Sequence, residues 1–199
     1  MSFYSIDELY SLGLARFGEN VKISRKTSIF NPAKIFIGNN VRVDDFCVLS
    51  AGEGGIFISD YIHIAVFCSL IGAGKITLNN FCNLSSRVSI YSSNDDYSGN
   101  TLTNPTVPDQ FTNVTHKDVL LDKHVIIGCG SVILPGVTLE EGVAVGALSL
   151  VVKNCESFGI YSGNPARRIK TRTNNLLKLE QDLYKWRDTP NRDEFTHPS

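Results

Sequence analysis

Aliphatic residues recur at every sixth position through the second half of the chain. From Leu121 onward the sequence divides into the units LDKHVI, IGCGSV, ILPGVT, LEEGVA, VGALSL and VVKNCE. A small or β-branched residue usually follows four positions after the first residue of a unit. This spacing matches neither the 3.6-residue period of an amphipathic helix nor the two-residue period of a half-buried strand. The opening residues are Leu121, Ile127, Ile133, Leu139, Val145 and Val151.

The same register continues through the first half of the chain, with short insertions between units. FGENVK and ISRKTS, at Phe17 and Ile23, are predicted to form the opening coil. A single hexapeptide match would carry little weight, but roughly a dozen in one register over most of residues 17–156 indicate a repeat architecture. The later units of this half open at Ile37, Val43, Ile58, Ile64, Leu78 and Leu84.

A period of six predicts a solenoid with a narrow interior. One aliphatic side chain per unit points inward, and three units form a triangular coil of roughly eighteen residues. Successive coils then pair as parallel strands about 4.8 Å apart, and each coil buries its aliphatic residues against its neighbours. An ordinary β-sandwich would instead show period-two alternation between frequent turn signals. The sequence therefore predicts an all-β fold, a left-handed parallel β-helix.

Both ends of the predicted β-helix carry helix signals. Ser5 and Glu8 have the spacing of a capping box, and Gly13 suits the end of a short helix that covers the first coil. The pattern of residues 173–186 (TNNLLKLEQDLYKW) predicts a C-terminal helix. One surface on which this helix could pack is a neighbouring subunit. Residues 187–199 are polar with two prolines, and we expect them to be loosely ordered.

The repeat stops between Ile90 and Val119. The intervening segment is long and polar and contains two prolines, and a long loop on a rigid scaffold is usually functional or disordered. We favour a functional loop. The predicted organisation is thus a β-helix domain over 1–170, with its capping helix and the insertion 91–118, followed by a helix and tail over 171–199.

Composition and sequence pattern argue against several classes of function. The net charge of −1 and the lack of a basic stripe argue against nucleic-acid binding. The start lacks the pattern of a signal peptide, and no apolar run of about 18 residues predicts a membrane span. The odd number of scattered cysteines favours reduced thiols in a cytoplasmic protein over a disulfide framework or a metal site. These cysteines are Cys47, Cys68, Cys82, Cys129 and Cys155.

Four segments resemble one group of hexapeptide acyltransferases. They are IYSSNDDYSGNTLTNP, HVIIGCGSVILPGV, VGALSLVVKN and IYSGNPARRIKTR. The chain is similar over almost its whole length to N-acyltransferases that act on dTDP-4-amino-4,6-dideoxyglucose (viosamine), with relatives that acylate GDP-perosamine. The resemblance implies a homotrimer with active sites at the subunit interfaces. It also implies an acyl-CoA co-substrate lying between two subunits, no permanently bound cofactor, and a nucleotide-sugar substrate held partly by the insertion.

The resemblance also places the acyl-CoA on the last coils. The GNPARRIK segment would carry the nucleotide, because arginine and lysine give charge-assisted bonds to phosphate oxygens. The pantetheine arm would follow small-residue turns where the backbone is accessible. The alternatives are a solvated basic turn and corners that need small residues for packing. We do not read Cys129 as a nucleophile. The candidates for cofactor binding are Cys129, Gly146, Ala147, Pro165, Arg167, Arg168 and Lys170.

One departure from the family pattern bears on the chemistry. Many related O-acetyltransferases place a histidine just after the strand that ends near Ile90, and residues 92–96 (SSNDD) hold none there. A hydroxyl needs a base to react, whereas a sugar amine should titrate at roughly 7–8 and is partly neutral near pH 7. We therefore favour N-acylation. Asp95 is the first candidate to bind the attacking amine, and Asp96 is the second candidate. The alternative is a polar turn.

Further site candidates follow from the resemblance. Ser85 would lie near the thioester, where its hydroxyl supports the oxyanion or relays a proton; the alternative is a small corner residue. Glu141 reaches toward the sugar pocket in one interpretation and is a solvated turn carboxylate in the other. His116 is the remaining candidate base in the insertion. The predicted substrate-binding residues are Asp96, Ser98, Asn104, Pro105, Glu141 and His116.

Three functions are consistent with the sequence. The leading one is acyl transfer from acetyl-CoA or a short acyl-CoA to the C-4 amine of a nucleotide-linked 4-amino-4,6-dideoxy sugar, for a surface polysaccharide. The second is a sugar O-acetyltransferase with His116 as its base. The third is a β-helix without catalytic activity that serves as a binding module. The sequence has no cluster of histidine and cysteine ligands, and it therefore predicts no metal site.

Overall fold

The computed structural model describes residues 2–189 and consists mainly of short strands. The helices are α1 (Ile6–Ser11) and α2 (Leu176–Asp188), and two 3-10 turns span Pro32–Lys34 and Asp109–Phe111. In chain order the strands are β1 (Lys22–Ile23), β2 (Ser28–Phe30), β3 (Ile35–Ile37), β4 (Val41–Val43), β5 (Val48–Ala51), β6 (Ile56–Ile58), β7 (Ile62–Ile64), β8 (Ser69–Gly72), β9 (Ile76–Leu78), β10 (Asn83–Leu84), β11 (Ser89–Tyr91), β12 (Ser93–Asn94), β13 (Thr115–His116), β14 (Val119–Leu121), β15 (Ile126–Ile127), β16 (Val132–Ile133), β17 (Thr138–Leu139), β18 (Ala144–Val145), β19 (Leu150–Val151), β20 (Gly159–Gly163) and β21 (Ala166–Thr171).

All of these strands except β12 and β13 form three sheets, which are the three faces of a triangular solenoid. Face 1 has the order β1-β4-β7-β10-β15-β18-β20-β21, face 2 the order β2-β5-β8-β11-β16-β19, and face 3 the order β3-β6-β9-β14-β17. Within each face the coil strands pair in parallel, and only β21 runs antiparallel to its neighbour. The predicted parallel β-helix is confirmed. Edge 1/2, edge 2/3 and edge 3/1 denote the corners where two faces meet.

The core is a set of single-residue columns that run along the solenoid. Every residue that opens a hexapeptide from Leu121 to Val151 is at most 4 % exposed, as the period of six predicts. On face 1 the register places Val43 on Ile64, Ile64 on Leu84 and Leu84 on Ile127. Because each such side chain is fully buried, its removal from water contributes about 1.5–3 kcal/mol.

At the corners, residues with a left-handed backbone conformation lie above one another in successive coils. On edge 1/2 this column contains Phe46, Phe67 and Arg87, with φ of 61°, 63° and 62°, followed by Gly130 and Leu148. Such a φ is costly for most residues. Stacking offsets the cost here, because the Phe46 and Phe67 rings lie 5.0 Å apart and the Arg87 guanidinium lies over Phe67.

Both predicted end helices are present. The capping box of α1 is complete, since Ser5 Oγ accepts from the Glu8 amide and the Glu8 carboxylate accepts from the Ser5 amide. Helix α2 packs on edge 3/1 of its own chain, where Glu180 bonds Lys123 and His124 at 2.7 and 2.8 Å. Helix α2 therefore contacts the coils of its own chain, and its packing on a neighbouring subunit remains a prediction.

The predicted division after residue 170 remains a prediction. Strand β21 ends at Thr171 and continues, through a short connection, into α2. The expectation of a loosely ordered tail falls largely on residues 190–199, which lie outside the described part of the chain.

Two adjacent leucines give a matched test of the core. Leu121 is fully buried between Leu78 and Leu139, whereas Leu120 points outward from the same strand. We expect Leu121→Ala to cost about 2–5 kcal/mol in the free energy of unfolding, because it leaves a cavity in a closed column. Leu120→Ala should cost much less. Equal losses for the two variants in chemical denaturation would contradict the inward orientation of Leu121.

Candidate active site

The insertion leaves the solenoid at edge 2/3 as a two-stranded ribbon. Strands β12 and β13 pair antiparallel, with Ser93 opposite His116. The base of the ribbon is fixed to the coils through Ser92, whose buried hydroxyl donates to the Gly74 carbonyl at 2.7 Å. The ribbon therefore carries the loop from a rigid base.

A cavity of about 790 Å³ lies between the ribbon and the rest of the insertion. It contains two carboxylates, Asp95 and Asp109, and one imidazole, His116, and its lining includes no lysine or arginine. Its electrostatic character therefore favours an amine or a neutral polar group over a phosphate. The lining residues are Ile71, Ser93, Asp95, Asn104, Pro105, Val107, Asp109, Thr112, Asn113, Val114 and His116.

The structure brings four of the predicted loop residues together in this cavity: Asp95, Asn104, Pro105 and His116. Asp95 also lines a second, smaller cavity of about 310 Å³ with Tyr91 and Tyr97 among its walls. A carboxylate shared by two adjoining cavities is accessible from both sides. Asp95 is thus placed where a ligand in either cavity can meet it.

The Asp96 carboxylate forms its hydrogen bonds within the insertion. It accepts from the Ser98 amide at 2.8 Å and from the Thr101 hydroxyl at 2.9 Å. These hydrogen bonds, those of Ser98 foremost, hold the pKa of the Asp96 carboxyl below its usual range. Asp96 and Ser98 therefore shape the turn that follows Asp95, and neither lines the large cavity.

The predicted cofactor residues gather on edge 1/2. Because Leu84 pairs with Ile127 and Ile127 with Val145, the corner after Ser85 lies below the corner with Cys129, which lies below Ala147. The Leu148 amide donates to the Cys129 carbonyl at 2.8 Å, which fixes this stacking. The structure thus aligns Ser85, Cys129, Gly146 and Ala147 along a single edge.

Glycine is required where these corners approach one another. A Cβ at Gly128 would lie 2.4 Å from the Ala147 backbone nitrogen, so no side chain fits there. At Gly146 it would meet the Ser162 side chain at 2.8 Å. The edge is consequently smooth at this level, and its outer positions Cys129 and Ala147 are exposed.

The β20–β21 hairpin places the basic segment at the end of the same edge. Its turn includes Pro165 and lies above Ala147, because Val145 pairs with Tyr161. Arg168 forms an exposed ion pair with Glu156 at 2.8 Å, and Arg167 donates to its own neighbour's carbonyl. Arg167, Arg168 and Lys170 are all exposed, so each can meet a phosphate from solvent.

Ser85 and Asp95 do not meet within one chain. Ser85 follows β10 on edge 1/2, whereas Asp95 follows β12 beyond edge 2/3, and strand β11 crosses the whole of face 2 between them. Glu141 lies on the third edge, where its carbonyl accepts from the Phe158 amide. The roles assigned to these three residues remain predictions.

The sequence did not predict seven of the eleven lining residues, and Ser93 and Asp109 are the two of these that bear on the chemistry. Ser93 contacts His116 although 23 positions separate them, and Asp109 enters the cavity from a 3-10 turn in the middle of the insertion. Neither contact has a local pattern, although the polar run around Ser93 was a signal that more than Asp95 faces the site.

Among residues 2–189, no group of three or more histidine, cysteine, aspartate or glutamate residues is arranged to hold a metal ion. Neither described helix has the length and apolar character that crossing a bilayer requires.

Comparisons with known proteins identify the family. No family model matches the chain. The dTDP-4-amino-4,6-dideoxy-D-glucose acyltransferase of Escherichia coli is 56 % identical over 180 residues, which cover 90 % of this chain and 94 % of that protein. A probable macrolide acetyltransferase of Lysinibacillus sphaericus is 34 % identical over 62 % of this chain and 70 % of its own length.

Solved structures agree with this result. AntD, an N-acyltransferase from Bacillus cereus in complex with dTDP and 3-hydroxybutyryl-CoA, is 46 % identical, with a TM-score of 0.91 over 94 % of this chain and 99 % of that one. A serine-to-alanine mutant of AntD in complex with dTDP-4-amino-4,6-dideoxyglucose and coenzyme A has a TM-score of 0.88 at 47 % identity over 92 % and 98 % of the two chains. The chain therefore belongs to the hexapeptide-repeat acyltransferases, in the family of the dTDP-4-amino-4,6-dideoxyglucose acyltransferases.

Proposed function

We propose that the protein transfers an acyl group from acyl-CoA to the C-4 amine of a dTDP-linked 4-amino-4,6-dideoxy sugar. The observation that carries the proposal is the 56 % identity to the E. coli acyltransferase over 90 % of the chain. The AntD complexes with dTDP-4-amino-4,6-dideoxyglucose and with 3-hydroxybutyryl-CoA support both the acceptor and the donor.

The charge of the cavity agrees with an amine acceptor. Asp95 offers a carboxylate that accepts a hydrogen bond from the C-4 amine and orients its lone pair toward the thioester. The cavity has no lysine or arginine in its lining, so the sugar rather than the diphosphate occupies it. An amine of roughly pKa 7–8 has a substantial neutral fraction near pH 7, and it therefore needs orientation more than it needs a strong base.

The reaction is a nucleophilic substitution at the thioester carbonyl. The neutral amine forms the new C–N bond, and the carbonyl oxygen carries negative charge in the tetrahedral intermediate. The Ser85 hydroxyl donates to that oxygen or relays the proton released by nitrogen. Collapse of the intermediate breaks the C–S bond, and the thiolate of coenzyme A takes up the proton.

The two halves of this site come from two subunits of a homotrimer. Ser85 and the cofactor candidates lie on edge 1/2, while Asp95 and the cavity lie at edge 2/3, so one chain alone does not complete the site. Acyl-CoA would lie along edge 1/2, with its pantetheine arm past Cys129, Gly146 and Ala147. Its phosphates would meet the hairpin residues Pro165, Arg167, Arg168 and Lys170. Closed threefold symmetry then creates three equal sites.

The same proposal places the reaction in the cytoplasm, where it supplies an acylated sugar to surface polysaccharide synthesis. Acyl-CoA is a co-substrate and leaves as free coenzyme A. The acyl group is acetyl or a short hydroxyacyl chain of the kind bound by AntD.

A thiol-release assay tests the proposed function. Acetyl-CoA and 3-hydroxybutyryl-CoA serve as donors, with dTDP-4-amino-4,6-dideoxyglucose and its 4-hydroxy counterpart as acceptors. We expect thiol release with the amine alone, and the product should carry one acyl group by mass spectrometry. Release with the hydroxyl sugar would favour the O-acetyltransferase, and binding of neither donor would favour a β-helix without catalytic activity.

A further inference from the structure

A hydrogen bond that has no part in the proposed reaction fixes His116 in the cavity. His116 Nδ1 lies 2.8 Å from Ser93 Oγ, across the β12–β13 ribbon. Ser93 Oγ also accepts from the Ala73 amide at 2.7 Å. Because Ala73 belongs to edge 2/3 of the solenoid, the imidazole is connected through one hydroxyl to the rigid backbone of the coils.

This arrangement accommodates a histidine that carries its proton on Nε2. A serine hydroxyl has one proton to donate and two lone pairs that accept. The Ala73 amide occupies one lone pair, and the hydroxyl proton is free to be donated to His116 Nδ1. A neutral imidazole that accepts at Nδ1 carries its own proton on Nε2. With Ser93 as the donor to Nδ1, His116 presents an N–H donor at Nε2, whereas a general base would need a lone pair at that nitrogen.

The ribbon also brings His116 near Asp95. Ser93 lies opposite His116, so continuing the antiparallel register by two residues places Asp95 opposite Val114, and all four residues line the cavity. Diagonal neighbours on one face of such a pair have their Cβ atoms about 7–8 Å apart or somewhat less. An aspartate and a histidine at that separation can bind two adjacent substituents of one sugar ring.

We propose that His116 is a specificity-determining residue that donates its Nε2–H to the ring hydroxyl next to the reacting amine, and that Ser93 positions it. This inference rests on the proposed function, since Asp95 must hold the amine. A ring hydroxyl is the fitting acceptor because Asp95 and Asp109 make the cavity unfavourable for a phosphate. The pair would thus recognise an amine with a hydroxyl beside it and hold the amine in register with the thioester.

The test compares two acceptors and four variants in the thiol-release assay. The acceptors are dTDP-4-amino-4,6-dideoxyglucose and its analogue without the 3-hydroxyl. For the wild-type protein, loss of the 3-hydroxyl should lower kcat/KM about tenfold, mainly through KM, because the hydrogen bond between His116 and the acceptor is lost. His116→Ala should lower kcat/KM about tenfold for the parent acceptor and leave the analogue nearly unchanged.

The conservative variants separate binding from packing. His116→Gln retains an N–H donor at a similar reach and should recover much of the activity toward the parent acceptor. Ser93→Ala should raise KM for the parent acceptor, and Ser93→Thr, which retains the hydroxyl, should restore it. A purely structural role of the hydrogen bond in the ribbon would lower activity toward both acceptors equally.

The outcomes separate this inference from the function on which it rests. If the wild-type protein acylates the amino sugar but His116→Ala loses equal activity on both acceptors, or none, the inference is wrong and the proposed function stands. If the wild-type protein acylates neither amino sugar with any donor, both are wrong.

Discussion

Replacing Asp95 with asparagine should lower kcat/KM for amide formation by about 10²–10³-fold and leave the fold intact. Asparagine has nearly the same shape but no charge, so it neither attracts the amine nor accepts its hydrogen bond as strongly. Asp95 lies in the exposed part of the insertion rather than among the buried columns, so the change should not affect the coils. Steady-state kinetics with the amino sugar and acetyl-CoA give the ratio.

Asp109 offers a matched control for this substitution. It is a second carboxylate in the lining of the same cavity, on a different part of the insertion from the β12–β13 ribbon. Asp109→Asn removes the same charge from the cavity, so it should reproduce any effect of overall electrostatics on KM. Only Asp95→Asn should reduce kcat strongly. Equal reductions of kcat by the two variants would remove Asp95 from its proposed position beside the amine.

The fold could be predicted because each coil repeats the same local requirement. Leu121, Ile127 and Ile133 all sit in columns that admit only aliphatic side chains, so the period appears directly in the sequence. The third column of the first half was less visible. Leu49 and Leu70 are as deeply buried as the others, but short insertions after them shift the next unit away from the spacing of six.

The site could be predicted only in part, because its geometry depends on contacts that are distant in sequence. Asp95 and His116 were predicted to belong to the substrate pocket, and the structure does place both in one cavity. The hydrogen bond that joins Ser93 to His116 depends on how the ribbon closes, which no local pattern encodes. Ser85 and Asp95 are close in sequence, yet a strand of face 2 separates them, and this separation becomes visible only in three dimensions.

That separation leads to a prediction about mixed assemblies. Ser85→Ala and Asp95→Asn chains should each be nearly inactive alone, because each lacks one half of every site. Mixed trimers of the two chains should recover activity. In a closed ring of three, every mixed trimer contains one interface at which an intact Ser85 meets an intact Asp95, so about a third of the sites recover.

The measurement uses two affinity tags, one on each variant, and co-production in one cell. Purification over both tags isolates the mixed trimers, and the thiol-release assay gives their kcat relative to the wild-type protein with the same tags. A matched control pairs the Ser85→Ala chain with a chain that carries both substitutions. No interface in that mixture has an intact Ser85, so it should remain inactive even though the assembly is the same.

The recovered fraction distinguishes the ways in which the chain can build its site. If edge 1/2 of one subunit meets edge 2/3 of the next, the mixed trimer gains activity and the control does not. If each chain completed its own site, neither mixture would gain anything, because every chain would still lack one residue. Ser85→Ala chains that keep full turnover by themselves would exclude Ser85 from the chemistry. The geometry of face 2 favours the first outcome, because the strand between the two residues is part of the rigid solenoid and cannot fold to bring them together.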